Sequence, residues 1–287
     1  MKKLRLSDDA GNSLKKYKNG RSLYRMIMDM IKNTSWVLKA LVILVTCGFV
    51  RADAAFKAAG SDSTFVVVRA LAEAFERKAG IGIELSGGGS SHGAKACLAQ
   101  EVQMGFLSRK LKESEIQKGL HGTEYAIDGV AVVVSPRNPI DSLTVEELQG
   151  IYSGDAGWPD GRSVVLFNRN ESSGTREVFQ KIVMNDGAFS SKAKILHNQL
   201  MMRNISKIPT AIGYTSASDI SATVKVLNIN EVAPTSKHLL DGSYPITRTL
   251  TFAFLSEENP EVKQFLEFVL SEEGSTIIKQ TGFLPLN

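Results

Sequence analysis

Residues 164–180 read VVLFNRNESSGTREVFQ: an apolar, β-branched run, a polar turn with two serines, a glycine and a threonine, then a stretch of helical spacing. Residues 58–75 (AAGSDSTFVVVRALAEAF) and 83–100 (IELSGGGSSHGAKACLAQ) repeat that order of extended run, glycine- and hydroxyl-rich turn, and helix. Alternation of this kind implies an α/β fold with largely parallel sheets. In such sheets the turns at the carboxyl ends of the strands are where ligands bind, and each turn presents unpaired N–H groups at a helix start. Taken singly, any of the turns reads as an ordinary helix cap. Three of them converging would make a site for an anion.

The remaining elements fit the same alternation. Strands are expected at 82–86, 102–107, 131–134, 164–167, 210–215, 224–229 and 250–254. Helices are expected over 94–102, 176–183 and 143–152, the last opening on the capping box Thr144-x-x-Glu147, and over 260–270 with Pro260 in its first turn.

At 287 residues, 43% hydrophobic and 22% charged, the chain has room for one large or two medium domains of a globular protein. Its net charge of +4 is unevenly placed, because residues 1–54 hold 11 of the 34 Lys and Arg but 4 of the 30 Asp and Glu. The rest carries 23 basic against 26 acidic residues, which argues against nucleic acid as a partner. The basic excess belongs to a leader: a polar run ending at Lys39, the 11-residue apolar core Ala40 to Val50, then Arg51 and Ala52-Asp53-Ala54. This is the order of an export signal cleaved after Ala54, with a core short for a membrane span. A start at Met26, Met28 or Met30 would give a leader of conventional length. Thr46 stands before Cys47 where a lipidation box wants Gly, Ala or Ser, which favours a soluble exported protein over a lipoprotein. Cys97 is then the single cysteine left, without a disulfide partner, and reads as a small buried hydrophobe. His92, His121, His197 and His238 are scattered without ligand spacing, so neither a metal site nor a cofactor is expected.

The spacing within the turns narrows the anion chemistry. A nucleotide loop needs Lys directly after its last glycine and a hydroxyl after that. In GGGSSHGAK (87–95), Ala94 follows Gly93, Lys95 comes one place late, and Ala96 lacks the hydroxyl. The dinucleotide pattern G-x-G-x-x-G would require glycine at position 92, which is His92. A hydrolase would use Ser172 or Ser173, yet Glu171 and Thr175 flank Ser173 where the G-x-S-x-G elbow has glycines. That alternative predicts a Ser–His pair brought together by the fold. The remaining reading is a free oxyanion held by the N–H and hydroxyl groups of Ser90, Ser91, Ser173, Gly174 and Thr175, with Arg169 or Arg176 as a charged fork and no catalytic residue.

The blocks GSDSTF (60–65), GGGSSHGAK (87–95), GFLSRKL (105–111), NRNESSGTRE (168–177), AIGYTS (211–216), YPITRTL (244–250) and the ending EVKQFLEFVLSEEGSTIIKQTGFLPLN (261–287) resemble, in order, the phosphate-binding proteins of bacterial phosphate ABC importers. The resemblance covers essentially all of residues 56–287. It implies a type II periplasmic-binding-protein fold, two α/β lobes that are each a mostly parallel sheet flanked by helices, joined by two crossover strands. It also implies inorganic phosphate in the interlobe cleft, the permease of an ABC importer as partner, a monomer, and a periplasmic or cell-surface location. The implied division is a removed leader at 1–54, lobe I at 55–128 plus 250–287, and lobe II at 129–249.

Residue by residue, the resemblance implies phosphate contacts from Ser63 or Thr64, from Ser90, from Ser108, and from Arg169, Ser173, Gly174 and Thr175. Ser108 and Glu171 both stand where some members have Asp, and Leu107 and Lys110 stand where members often have Ser and Pro. Donors alone would hold sulfate as well as phosphate, so a carboxylate able to accept the proton of phosphate is expected, Glu171 first and Asp62 second. An exported oxyanion sensor or adhesion protein is the other reading of the same site.

Overall fold

The computed structural model describes residues 56–255 and 259–286; the leader and its expected cleavage site lie outside them. The strands are β1 (Phe56–Gly60), β2 (Ile83–Ser86), β3 (Met104–Leu107), β4 (His121–Val134), β5 (Ser142–Leu143), β6 (Val165–Asn168), β7 (Lys194–Ile195), β8 (Ala211–Ser216), β9 (Lys225–Val226), β10 (Asn228–Ile229), β11 (Thr247–Phe254) and β12 (Leu284–Pro285). The helices are α1 (Phe65–Ala79), α2 (Ser90–Leu98), α3 (Glu113–Ile116), α4 (Val145–Ser153), α5 (Gly174–Ile182), α6 (Asn198–Ile205), α7 (Ser236–Leu240), α8 (Pro260–Val269) and α9 (Glu272–Gln280).

One hydrogen-bonded path runs β2-β1-β3-β11-β4-β8-β6-β7, with β9 and β12 also on β4. Parallel pairs lie toward both ends of it, β1 with β2 and β3, and β6 with β7 and β8. Every antiparallel pairing of two named strands among the described residues involves β4 or β11. These are the crossover strands of a two-lobed α/β fold. β4 pairs with β11 through Gly129 and with β8 from Val130 onward, so a single strand serves both lobes. The expected parallel character therefore describes each lobe away from the crossovers, and the antiparallel pairs arise where the chain returns between lobes.

Each lobe has its own apolar core. In the first, Phe56, Phe75, Phe106, Phe252 and Phe265 are buried together, with Phe75 and Phe252 edge-on to Phe265 at 5.4 and 5.5 Å. In the second, Val130, Val132 and Val134 pack with Tyr152, Phe179 and Tyr214, the last two rings stacked at 4.2 Å. A fully buried side chain of this size contributes about 1.5–3 kcal/mol, so each core is a substantial source of stability beneath the turns. Cys97 is buried as expected, and desolvation pushes its thiol up to about 11.

Local signals account for the helix starts. Thr144 and Glu147 exchange both bonds of the capping box, and Asn259 caps α8 ahead of Pro260. The helix expected from 94 begins earlier, at Ser90, because Gly89 takes φ 97°, a backbone angle that turns β2 directly into α2 and that other residues adopt only under strain. The strand expected at 131–134 is the buried end of the longer β4, whose beginning is disguised by Gly122, Asp128 and Gly129. The strand expected at 224–229 is split at Leu227, because β9 pairs with β4 and β10 pairs with β5.

Candidate functional site

The loops that follow β1, β2, β3 and β6 meet between the lobes. Ser63, Ser90, Ser108, Ser173 and Thr175 are each at most 3% exposed there. Ser63 Oγ, from the first lobe, lies 2.9 Å from Thr175 Oγ1, from the second. Ser90 Oγ stands 3.2 Å from Ser108 Oγ and accepts the Ser108 N–H at 3.0 Å. Position 174 must be glycine for this approach, since a Cβ there would overlap Ser90 Oγ and lie 2.7 Å from Ser108 Oγ. Backbone contacts join the same walls: the Ser91 N–H donates to the Ser172 carbonyl at 3.1 Å, and the Ser172 hydroxyl donates to the Gly88 carbonyl at 2.7 Å.

Two guanidinium groups flank the hydroxyls. Arg169, 2% exposed, donates from Nη1 to Asn198 Oδ1 at 2.6 Å and to Ser63 Oγ at 3.4 Å, while its Nε has no hydrogen-bond partner among the described residues. Burial holds this guanidinium below its usual range, against the opposing influence of Tyr214 and Asp62. Asn198 is itself oriented, its amide donating to Asp219 Oδ2 at 2.8 Å, and its carbonyl also accepts the Thr215 hydroxyl at 3.3 Å. Asn168 pins the turn, accepting the Arg169 N–H at 2.8 Å and the Tyr214 hydroxyl on one oxygen.

The second guanidinium is Arg248, 4% exposed on β11, which donates from Nη1 to Thr175 Oγ1 at 2.6 Å. Its Nε and Nη2 both donate to Asp128 Oδ2, at 2.9 and 2.6 Å, and the Ser216 hydroxyl joins that oxygen at 2.7 Å. The result is a buried nest of hydroxyl and N–H donors flanked by two guanidinium groups, the arrangement that suits a tetrahedral oxyanion.

The structure brings together Ser63, Ser90, Ser108, Arg169, Ser173, Gly174 and Thr175. Of the pair left open, Ser63 carries its hydroxyl toward Thr175, while Thr64, also buried, turns its hydroxyl to the Ser61 carbonyl at 3.4 Å. Ser173 caps α5 by accepting the Arg176 N–H at 3.3 Å. The Arg176 guanidinium lies over the Phe189 ring at 5.0 Å, so of these two arginines it is Arg169 that reaches the buried hydroxyls. Glu171 is exposed on the turn, where it borders an outer cleft with His92 and Lys95, and is not brought to the buried hydroxyls. Asp62 is half-buried, and its Oδ1 accepts the Gly88 N–H at 3.1 Å. Arg248, Asp128, Asn198 and Asp219 were not singled out by the sequence. Arg248 sits in the YPITRTL block and Asp128 just before the apolar run of β4, so a charge inside a β-forming stretch was the available signal for both.

Asp219 gives the site a pH signature. Burial raises its carboxyl above the ordinary range and Asp128 adds to this, against the Asn198 bond and the charges of Arg248 and Arg169. An acid raised on folding stabilises the protein fully below its unfolded pKa, about 3.9, and that stability is lost as pH rises through the folded value. In Asp219→Asn, thermal midpoints should fall less than in wild type from about pH 4 upward. Parallel midpoint-versus-pH curves for the two proteins would contradict the assignment.

A model of the PBP superfamily domain matches residues 50–273. The phosphate-binding protein PstS of Pseudomonas aeruginosa is 26% identical over 265 residues, covering 79% of this chain and 81% of its own length. That of Bacillus subtilis is 28% identical over 247 residues, 82% of each chain. Among solved structures, a phosphate-bound substrate-binding protein assigned to phosphate ABC transport in Clostridium perfringens is 31% identical, with TM-score 0.76 over 80% of this chain and 99% of that one. An ABC-type phosphate transport receptor from Vibrio cholerae is 28% identical, with TM-score 0.70 over 79% of this chain and 98% of that one. With a match over most of its length, and with two lobes joined by crossover strands around a buried polar nest, the chain belongs to the PBP superfamily.

Proposed function

We propose that the protein captures inorganic phosphate between its lobes and delivers it to the permease of an ABC-type importer, acting by binding and release without catalysis. The observation that carries this reading is Arg169: a guanidinium 2% exposed, whose Nε has no hydrogen-bond partner among the described residues, beside hydroxyls contributed by both lobes. A buried cation without a carboxylate bonded to it is costly unless an anion joins it. The relatives named for phosphate binding supply the identity of that anion.

In this reading Ser63, Ser90, Ser108, Ser173, Gly174 and Thr175 donate to the phosphate oxygens and Arg169 supplies the charged fork, with Arg248 behind Thr175. Lobe I is 55–128 plus 250–287 and lobe II is 129–249. The protein is exported as a monomer, its leader removed after Ala54. Asp62 replaces Glu171 as the carboxylate that accepts the phosphate proton, because it is half-buried beside Ser63 and within electrostatic reach of Arg169, whereas Glu171 is exposed.

Calorimetric titration with phosphate and sulfate tests the reading, paired with a phosphate-ester hydrolysis assay. Wild type should bind phosphate in preference to sulfate and release no product from the ester. Asp62→Asn should narrow the preference by roughly tenfold, about one lost charge-assisted hydrogen bond, and Glu171→Gln should leave it unchanged. Turnover of the ester would replace binding with the hydrolase alternative, and silence toward phosphate would remove the ligand assignment.

A further inference from the structure

A second set of contacts joins the lobes beside the hydroxyl nest, and holding an oxyanion makes no use of it. Arg109, 5% exposed in the loop after β3, is gripped by its own lobe. Its Nη1 donates to Glu115 Oε2 at 2.9 Å and to the Lys110 carbonyl at 2.9 Å, and its Nη2 donates to Glu115 Oε1 at 2.7 Å. Glu115 also accepts the Lys112 N–H at 2.9 Å. Burial alone would raise the Glu115 carboxyl, but the bonds from Arg109 and Lys112 outweigh it and hold the group below its ordinary range. The edge of Arg109 left over is Nε, and it faces the other lobe.

Glu177, in the first turn of α5, meets that edge. Its Oε2 lies 2.7 Å from Arg109 Nε, too oblique for a hydrogen bond and therefore an ion pair, and 2.8 Å from Lys112 Nζ. The Ser91 hydroxyl, at the start of α2, donates to its Oε1. All three partners belong to the first lobe, while Glu177 belongs to the second. With the lobes apart, Arg109, Lys112 and Glu115 carry one net positive charge and Glu177 one negative; together they are neutral. The bonds between Arg109 and Glu115 lie within one lobe and do not depend on Glu177, so closure need order little beyond Glu177 itself. The side chains of Arg109 and Glu177 are 6% and 16% exposed, so solvent and salt screen this pair less than a surface bridge.

We infer that Glu177 is the bolt of an electrostatic latch that holds the cleft shut whether or not an anion is present, and that ligand release waits for it to leave Arg109 and Lys112. The part concerning release rests on the phosphate-capture reading; the latch itself does not.

The Ser91 amide provides a reporter that needs no ligand. Lying in the first turn of α2, it has no intrahelical acceptor, and its acceptor, the Ser172 carbonyl at 3.1 Å, is on the other lobe. Hydrogen exchange at Ser91, followed by NMR on the full chain without ligand, should accelerate about tenfold in Glu177→Gln, the loss expected for one well-shielded ion pair. Phosphate dissociation by stopped flow should accelerate by a similar factor, with association little changed. Lys112→Met, removing the more exposed partner, should show a smaller acceleration of both. Glu113→Gln, an exposed carboxylate lining a groove together with Arg109, Lys112 and Glu177, should change neither. Wild-type Ser91 exchange in Glu177→Gln would overturn the latch, and so would wild-type exchange in Lys112→Met if the first variant failed to fold. Faster Ser91 exchange in a protein whose wild type ignores phosphate would keep the latch and remove the capture reading instead.

Discussion

Arg169→Met is expected to lower phosphate affinity by about a thousandfold, on the basis of two charge-assisted hydrogen bonds at about 1.5–3 kcal/mol each. The same substitution should leave the ligand-free thermal midpoint unchanged or raise it. The two expectations come from one geometry. Arg169 is almost fully buried, its hydrogen-bonded partners Asn198 and Ser63 are neutral, and its Nε has no partner among the described residues. Desolvation of the guanidinium is therefore not offset by an ion pair among the described residues, and a methionine of comparable length removes the charge while still filling the space. Arg169→Lys should fall between, because a lysine keeps the charge but cannot reproduce a planar fork. Titration calorimetry with phosphate and scanning calorimetry without it give the two readouts. A midpoint lowered by many degrees would make Arg169 a structural residue, and affinity retained in the methionine variant would take it out of the site.

What could be read from the sequence and what could not differ for a physical reason. The turns were legible because glycine and hydroxyl residues clustered between an apolar run and a helical pattern mark a strand-to-helix turn, and the glycine at 174 stands where no Cβ fits against Ser90. The crossover architecture was less so. β4 begins with residues that read as a loop, and only its pairing with both β11 and β8 makes it one strand. Asn198 and Asp219 reach the site from elements that carry no turn signature of their own, one opening α6 and the other in a single 3₁₀ turn after β8. Their part depends on a chain of side-chain contacts, Asp219 to Asn198 to Arg169, that no local spacing encodes. Glu171 illustrates the converse. In sequence it is within four residues of Ser173, Gly174 and Thr175, yet the turn that buries those three leaves it in solvent. Proximity along the chain overstated its place, and the alternation of inward and outward positions within a single turn decided it.

Asp128→Ala should destabilise the protein by about 3–5 kcal/mol, the cost of leaving a buried charge without its partner. At roughly 2–4 °C per kcal/mol for a chain of this size, the midpoint should fall by about 6–20 °C. Asp128 and Arg248 face each other directly in the register of β4 and β11, and both side chains are 1% exposed. Their pairing therefore lies within the two strands that connect the lobes, while the free arm of Arg248 reaches Thr175 in the anion nest. Removing Arg248 along with Asp128 separates the structural from the functional contribution. In Asp128→Leu with Arg248→Met no charge remains buried at that position, so most of the lost stability should return, because buried ion pairs are commonly matched by apolar residues of similar volume. Phosphate affinity should not return, since the charged donor behind Thr175 is gone. Recovery of both would show that Arg248 serves the fold alone. A single Asp128→Ala variant with a wild-type midpoint would mean that Arg248 finds another counter-charge, for which the half-buried Asp219, which interacts electrostatically with Arg248, is the candidate, and the Asp128→Ala, Asp219→Asn double variant would then show the full loss.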